Sequence, residues 1–171
     1  MALPVSRDAI IAADQRIAPH IRRTPLLNLN AHAFGLDAAI SFKLEFLQHA
    51  GSFKTRGAFN TLLSHQLPAS GVTAASGGNH GAAVAYAARA LGAKAKIFVP
   101  EISSPIKIAT IKQFGGDVTV GGAVFDEAYI SCQNYQRDTS ALLVHPSTPS
   151  RHLKVKARLQ KNGKRMVACP T

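Results

Sequence analysis

The sequence is poor in the residues that metal chemistry needs. Its two cysteines, Cys132 and Cys169, lie far apart and fit no metal-ligand spacing. Its seven histidines are scattered, and none forms an HExxH pair, which argues against a zinc site. No run approaches the roughly 20 apolar residues of a membrane span. The opening MALPVSRDAII meets Asp8 early and lacks a positive start followed by a long apolar run. The expectation is a soluble, cytoplasmic chain without a secretory signal. No GxGxxG loop is present for a dinucleotide. Acid is scarce too: 9 Asp and Glu face 20 Lys and Arg, for a net charge of +11. That excess raises the question of nucleic acid, and its distribution answers it. Residues 1–145 hold 13 of the basic residues and all 9 acids, whereas residues 146–171 hold 7 basic residues and no acid. The basicity belongs mostly to the tail. No aromatic side chain is interleaved with the tail's basic residues to stack on bases. A solvated, disordered tail is expected over a phosphate-binding one.

What is present is a rhythm. Residues 7–23 place Ile10, Ile11, Ile17 and Ile21 on one helical face, and Thr24-Pro25 ends that pattern. Leu26 and Leu27 begin an extended piece, and Ala39 to Glu45 alternates as a strand. Beyond residue 51 the pattern predicts helices over 57–66, 82–91, 105–114 and 125–137. Between them it predicts strands over 72–76, 95–99, 118–120 and 141–144. Strands alternating with helices imply a parallel, layered α/β sheet. After His145-Pro146 the rhythm stops, and residues 147–171 show no clean period.

Two stretches carry chemistry. In Gly51-Ser52-Phe53-Lys54-Thr55-Arg56-Gly57-Ala58, a Gly-Ser turn delivers an aromatic and a lysine to the mouth of a helix. Aldehyde chemistry needs an accessible, partly neutral amine, and a helix N-terminus and the nearby Arg56 both disfavour the protonated form. Phe53 can lie flat against an aromatic cofactor. By residue type alone, a lysine at a helix start such as Lys54 is usually an ordinary solvated charge. In Ser76-Gly77-Gly78-Asn79-His80-Gly81, glycines let the backbone come close where a strand meets a helix, and the first helical N–H groups point at negative charge. An amino-acid carboxylate suits such a turn, which is otherwise a plain strand-to-helix connection.

The lysine segment resembles the cofactor-lysine motif of the fold-type II pyridoxal-phosphate enzymes, in the branch of threonine dehydratase, serine dehydratase and serine racemase. Lys43-Leu44-Glu45-Phe46-Leu47-Gln48 is similar to that family's Lys-x-Glu-x-x-Gln lead-in, and Arg23-Thr24-Pro25-Leu26 to its Thr-Pro-Leu signature. The resemblance implies the three-layer parallel sheet of the tryptophan synthase β kind, incomplete here. It implies pyridoxal 5'-phosphate as cofactor, Lys54 as its Schiff-base lysine and catalytic base, and Phe53 and Asn79 as cofactor contacts. Ser76, Gly77, Gly78 and His80 then face the substrate, with a capping or packing role as the alternative for His80. It further implies L-threonine or L-serine as substrate, cleaved to the 2-oxo acid and ammonia, and homo-oligomers among full-length relatives. Serine racemases resembling this chain carry a second serine at position 77, a proton donor on the ring face opposite the lysine. Gly77 supplies no hydroxyl, so one-faced elimination is expected over racemisation.

The resemblance runs over residues 7 to about 146. It divides the chain into 1–45, a segment expected to pack with a large domain; 46–146, a small α/β domain; and the atypical tail 147–171. Full-length relatives continue for about as long again, with a glycine-rich phosphate loop and a Ser/Thr-type group at the pyridine nitrogen. An out-of-frame origin of the tail and a catalytically inactive remnant are therefore expected, with the apolar face of residues 1–45 left exposed. A serine racemase-like enzyme and a basic-tail nucleic-acid binder are the lesser alternatives.

Overall fold

The computed structural model describes residues 6–146, so the tail expectations lie outside the described residues. Helix α1 (Arg7–Ile17) begins where Ser6 Oγ accepts a hydrogen bond from Ala9 N at 3.2 Å. It stops short of the 7–23 pattern because Pro19 cannot continue an α-helix, and a single 3-10 turn, Ala18–His20, follows. Strands β1 (Leu26–Leu29) and β2 (Ile40–Lys43) pair antiparallel as a separate hairpin. The chain then runs through α2 (Lys54–Leu62), β3 (Val72–Ala75), α3 (Asn79–Ala90), β4 (Ala95–Val99), α4 (Pro105–Gln113), β5 (Gly116–Val120), α5 (Phe125–Thr139) and β6 (Leu142–Leu143). Gly92, at φ 71°, takes the left-handed turn that releases the chain from α3.

The four later strands form one parallel sheet in the order β5-β4-β3-β6. From β3 the chain steps outward to β4 and β5, then returns across the sheet to set β6 on the other side of β3. Right-handed crossovers place the outward and returning helices on opposite faces. Side chains alternate accordingly. Val72, Ala74, Ile97 and Val99 join the core shared with α1, α2, α3 and α4, while Ala75 and Phe98 pack with Ala128 and Cys132 of α5. Both faces of β3 and β4 are thus covered, which explains their unbroken apolar or small-residue runs. The result is a three-layer α/β unit with a parallel sheet, as the sequence pattern implied.

Residues 6–45 divide in their packing. Ala13 and Ile17 of α1 lie in the main core with Phe59 of α2, and Arg16 Nη1 donates to Asn60 Oδ1 at 2.7 Å. The hairpin stands apart, with Leu26, Leu27, Phe34, Leu36, Phe46 and Leu47 on or beside it exposed. Among the described residues, no helix is long and apolar enough to cross a membrane.

Candidate active site

The chain's path reverses at β3, and open α/β sheets receive ligands at such a point, in the crevice outside the carboxyl ends of the strands. Three connections converge there. The first delivers Lys54, the first residue of α2, which begins earlier than the glycine at position 57 because Ser52 and Phe53 already turn the chain. Thr55 N and Thr55 Oγ1 both donate to Ser52 O, at 3.2 and 2.9 Å. Lys54 is half-buried; its Nζ donates to Pro146 O at 3.1 Å and lies 5.6 Å from the centroid of the Phe53 ring. The second is the turn Ser76-Gly77-Gly78 between β3 and α3, in which Gly78 N donates to Ser76 Oγ at 3.3 Å. Asn79 opens α3 and is exposed. The third is the segment after β6, held to the sheet by Val144 N donating to Thr73 O at 2.8 Å.

That third segment joins the other two. His80, 4% exposed, turns its ring inward, and its Nε2 lies 2.9 Å from Val144 O. Lys54 reaches Pro146 O two residues further on. One stretch, Val144–Pro146, therefore binds both the lysine and the first turn of α3. Of the sequence-derived residues, Phe53 and Lys54 stand at the start of α2, and Ser76, Gly77, Gly78 and Asn79 make the turn from β3 into α3. His80 holds it together from behind, in the packing position that the sequence left open as its alternative.

Behind Lys54 lies a buried polar clamp. Arg56 Nε and Nη2 donate to Glu45 Oε2 and Oε1, each at 2.8 Å, and Thr24 Oγ1 donates to Glu45 Oε1 at 2.6 Å. Arg56 and Glu45 are 9% and 8% exposed. Burial disfavours the Glu45 charge, but the hydrogen bonds from Arg56 and Thr24 and the Arg56 charge outweigh it, so its carboxyl sits below the ordinary carboxylate range. Lys43 Nζ donates to Thr24 O, and Gln48 brackets the Arg22 peptide, accepting from its N at 3.0 Å and donating to its O at 2.8 Å. The Thr-Pro-Leu and Lys-x-Glu-x-x-Gln motifs thus meet each other and fix the start of α2. Arg56 was expected to act on the lysine by its charge; its guanidinium is instead bound to Glu45, which neutralises it.

Sequence reasoning missed three features. Ser52 Oγ is buried with no hydrogen-bond partner among the described residues. The carbonyls of Val144 and Pro146 gave no signal, because a main-chain acceptor leaves no side-chain trace. Ser103 was also missed. A Cβ built on Gly77 would stand 1.8 Å from Ser103 Oγ and 2.6 Å from Ser103 Cβ. Gly77 itself carries no hydroxyl, as the sequence has it, but a neighbouring loop sets the Ser103 hydroxyl where its side chain would project. No group of three or more metal-ligating side chains gathers among the described residues.

Comparison with known proteins is consistent with this geometry. The family described as "Pyridoxal-phosphate dependent enzyme" matches residues 17–158, beyond the Pro146 at which the motif resemblance ends. The L-threonine ammonia-lyase of Geobacter sulfurreducens is 40% identical over 136 residues, covering 78% of this chain and 34% of that protein. The structure of maize serine racemase superposes with a TM-score of 0.83 at 31% identity, covering 91% of this chain and 48% of that one. The threonine deaminase of T.th. gives a TM-score of 0.76 at 34% identity, covering 94% of this chain and 54% of that one. The chain thus spans between a third and a little over half the length of these relatives.

Proposed function

Because the chain belongs to the family of pyridoxal-phosphate dependent enzymes, we propose that its described residues form the lysine-bearing half of a hydroxy-amino-acid ammonia-lyase site. The reaction is conversion of L-threonine or L-serine to the 2-oxo acid and ammonia. The observation that carries this reading is the joint anchoring of Lys54 and His80 on Val144–Pro146, which sets the lysine amine and the Gly-Gly-Asn turn at one end of the sheet. The residues suit the cofactor. Lys54 offers an amine at the crevice, Gly78 has open space where a side chain would project, and Ser52 holds a buried hydroxyl without a partner among the described residues.

When bound, pyridoxal phosphate supplies an electron sink for the carbon that loses its proton. Lys54 Nζ would hold the cofactor and would accept that proton from the substrate carbon. Phe53 would back the cofactor ring, and Asn79 would offer its amide to it. The main chain of Ser76, Gly77 and Gly78 binds the substrate carboxylate at the start of α3. The Glu45–Arg56 pair keeps α2 in register, so that the lysine meets the turn. In this reading residues 46–146 are the small domain, and the exposed hairpin is the docking face of residues 1–45.

The test is formation of 2-oxobutanoate and ammonia from L-threonine by the 171-residue chain with added cofactor, beside Lys54→Ala. Product from the wild type alone supports the reading. Product from both chains, at the rate of free cofactor, sinks it. Cofactor held at Lys54 with no 2-oxo acid formed would instead mark a site that binds without turnover.

A further inference from the structure

Gly77 is not required by its backbone. Its φ lies outside the left-handed region, so an L side chain is conformationally allowed there. Space alone excludes one. The Cβ position is taken by Ser103, whose Oγ stands 1.8 Å away and whose Cβ stands 2.6 Å away, with Val99 Cγ1 at 3.2 Å. Rotating the Ser103 hydroxyl aside leaves its Cβ in the way, so the fit depends on the backbone of both loops. Ser103 lies just past β4, in a turn closed by Ser103 N donating to Pro100 O at 3.0 Å. The next residue, Ser104, caps α4 by accepting from Lys107 N. Parallel pairing of β3 with β4 brings this turn against Ser76-Gly77-Gly78. Ser103 is half-buried, and its hydroxyl has no hydrogen-bond partner among the described residues.

We propose that Ser103 is a substrate-contacting, specificity-determining residue, its hydroxyl occupying the side-chain place of position 77 and binding the amino-acid substrate beside the Gly-Gly-Asn turn. This rests on the reading of the crevice given above. Two neighbouring loops share one side-chain volume: Gly77 vacates it and Ser103 fills it with a group that both donates and accepts a hydrogen bond. The turn's N–H groups can only donate, so an oxygen that also accepts serves an ammonium or a hydroxyl of the substrate as well as its carboxylate.

The test uses the whole chain loaded with pyridoxal phosphate and reads binding rather than turnover: the change in cofactor absorbance as L-serine is titrated. Ser103→Ala keeps the Cβ and removes only the hydroxyl. It is expected to weaken L-serine binding by about tenfold, the loss of one hydrogen bond to a charged group, and to leave the thermal midpoint of the unloaded chain unchanged. Gly77→Ser alone is expected to lower that midpoint. The exchange Gly77→Ser with Ser103→Gly is expected to restore both midpoint and affinity, because the hydroxyl returns to the same place from the other loop. Unchanged L-serine affinity in Ser103→Ala overturns the proposal, as does an unaltered midpoint in Gly77→Ser. If wild type and Lys54→Ala show the same cofactor absorbance, the reading of the crevice fails and this proposal falls with it. Cofactor held at Lys54, with binding indifferent to Ser103, overturns this proposal alone.

Discussion

Replacing Arg56 with leucine should expose how strongly the lysine helix depends on its clamp. Arg56→Leu removes both 2.8 Å bonds to Glu45 and leaves a carboxylate, itself 8% exposed, with Thr24 as its remaining side-chain partner. An uncompensated buried charge of this kind costs about 3–5 kcal/mol, against a total stability of about 5–15 kcal/mol. For a chain of this size that lowers the thermal midpoint by roughly 6–20 °C. The penalty should depend on pH. The Glu45 carboxyl of the wild type lies below its unfolded value of about 4.3, so its contribution is full above that pH and is lost as the pH falls through the lower, folded value. In the variant, burial without Arg56 pushes the same carboxyl upward, so it takes a proton at higher pH and sheds its penalty sooner. Urea unfolding followed by circular dichroism from pH 7 to pH 4 should show the two stabilities converging in acid. A second substitution, Glu45→Met in the Arg56→Leu background, should recover much of the loss at pH 7. A penalty under about 1 kcal/mol, or one that stays constant across that pH range, would refute the reasoning.

Three further outcomes are expected. Gly81→Ala puts a Cβ 2.5 Å from the carbonyl oxygen of Ser76 and 3.1 Å from Ile111 Cδ1; it should cost about 1–3 kcal/mol by overpacking, measured by urea unfolding. Phe59→Ala removes a ring 1% exposed that stacks on His20 at 5.2 Å and meets Tyr86 edge-on at 6.1 Å. Its cost is about 3–5 kcal/mol, and a loss under half of that would show that the core collapses to fill the space. Cys132 is fully buried, and burial raises its thiol, with Thr73 Oγ1 at 3.3 Å only partly opposing the rise. Brief alkylation at pH 8 followed by peptide mapping should leave it unmodified until denaturant is added.

The parallel sheet was legible because its signals are local. Strands buried on both faces read as short apolar runs, and glycine or proline punctuates each crossover. Boundaries drifted where tertiary contacts decide them. Helix α1 ends at Ile17 because Pro19 forces a tighter turn, and α2 begins at Lys54 because Ser52 O gathers the two bonds of Thr55. The lysine and the Gly-Gly-Asn turn were legible as motifs. Their meeting was not, since it runs through main-chain oxygens of Val144 and Pro146. The charge of Arg56 was read without its partner, which lies in a separate motif. The exchange of volume between Gly77 and Ser103 joins two loops distant in sequence, and a single sequence carries no record of which loops touch.

The central claim, that Lys54 and the turn after β3 form one cofactor site, is tested most directly by titrating the 171-residue chain with pyridoxal phosphate, reducing with borohydride and mapping the modified lysine. Saturable visible absorbance, lost on reduction, is expected, with the adduct on Lys54 and absent from Lys54→Ala. Weak, unsaturable labelling spread over Lys54, Lys94 and Lys112 would contradict it.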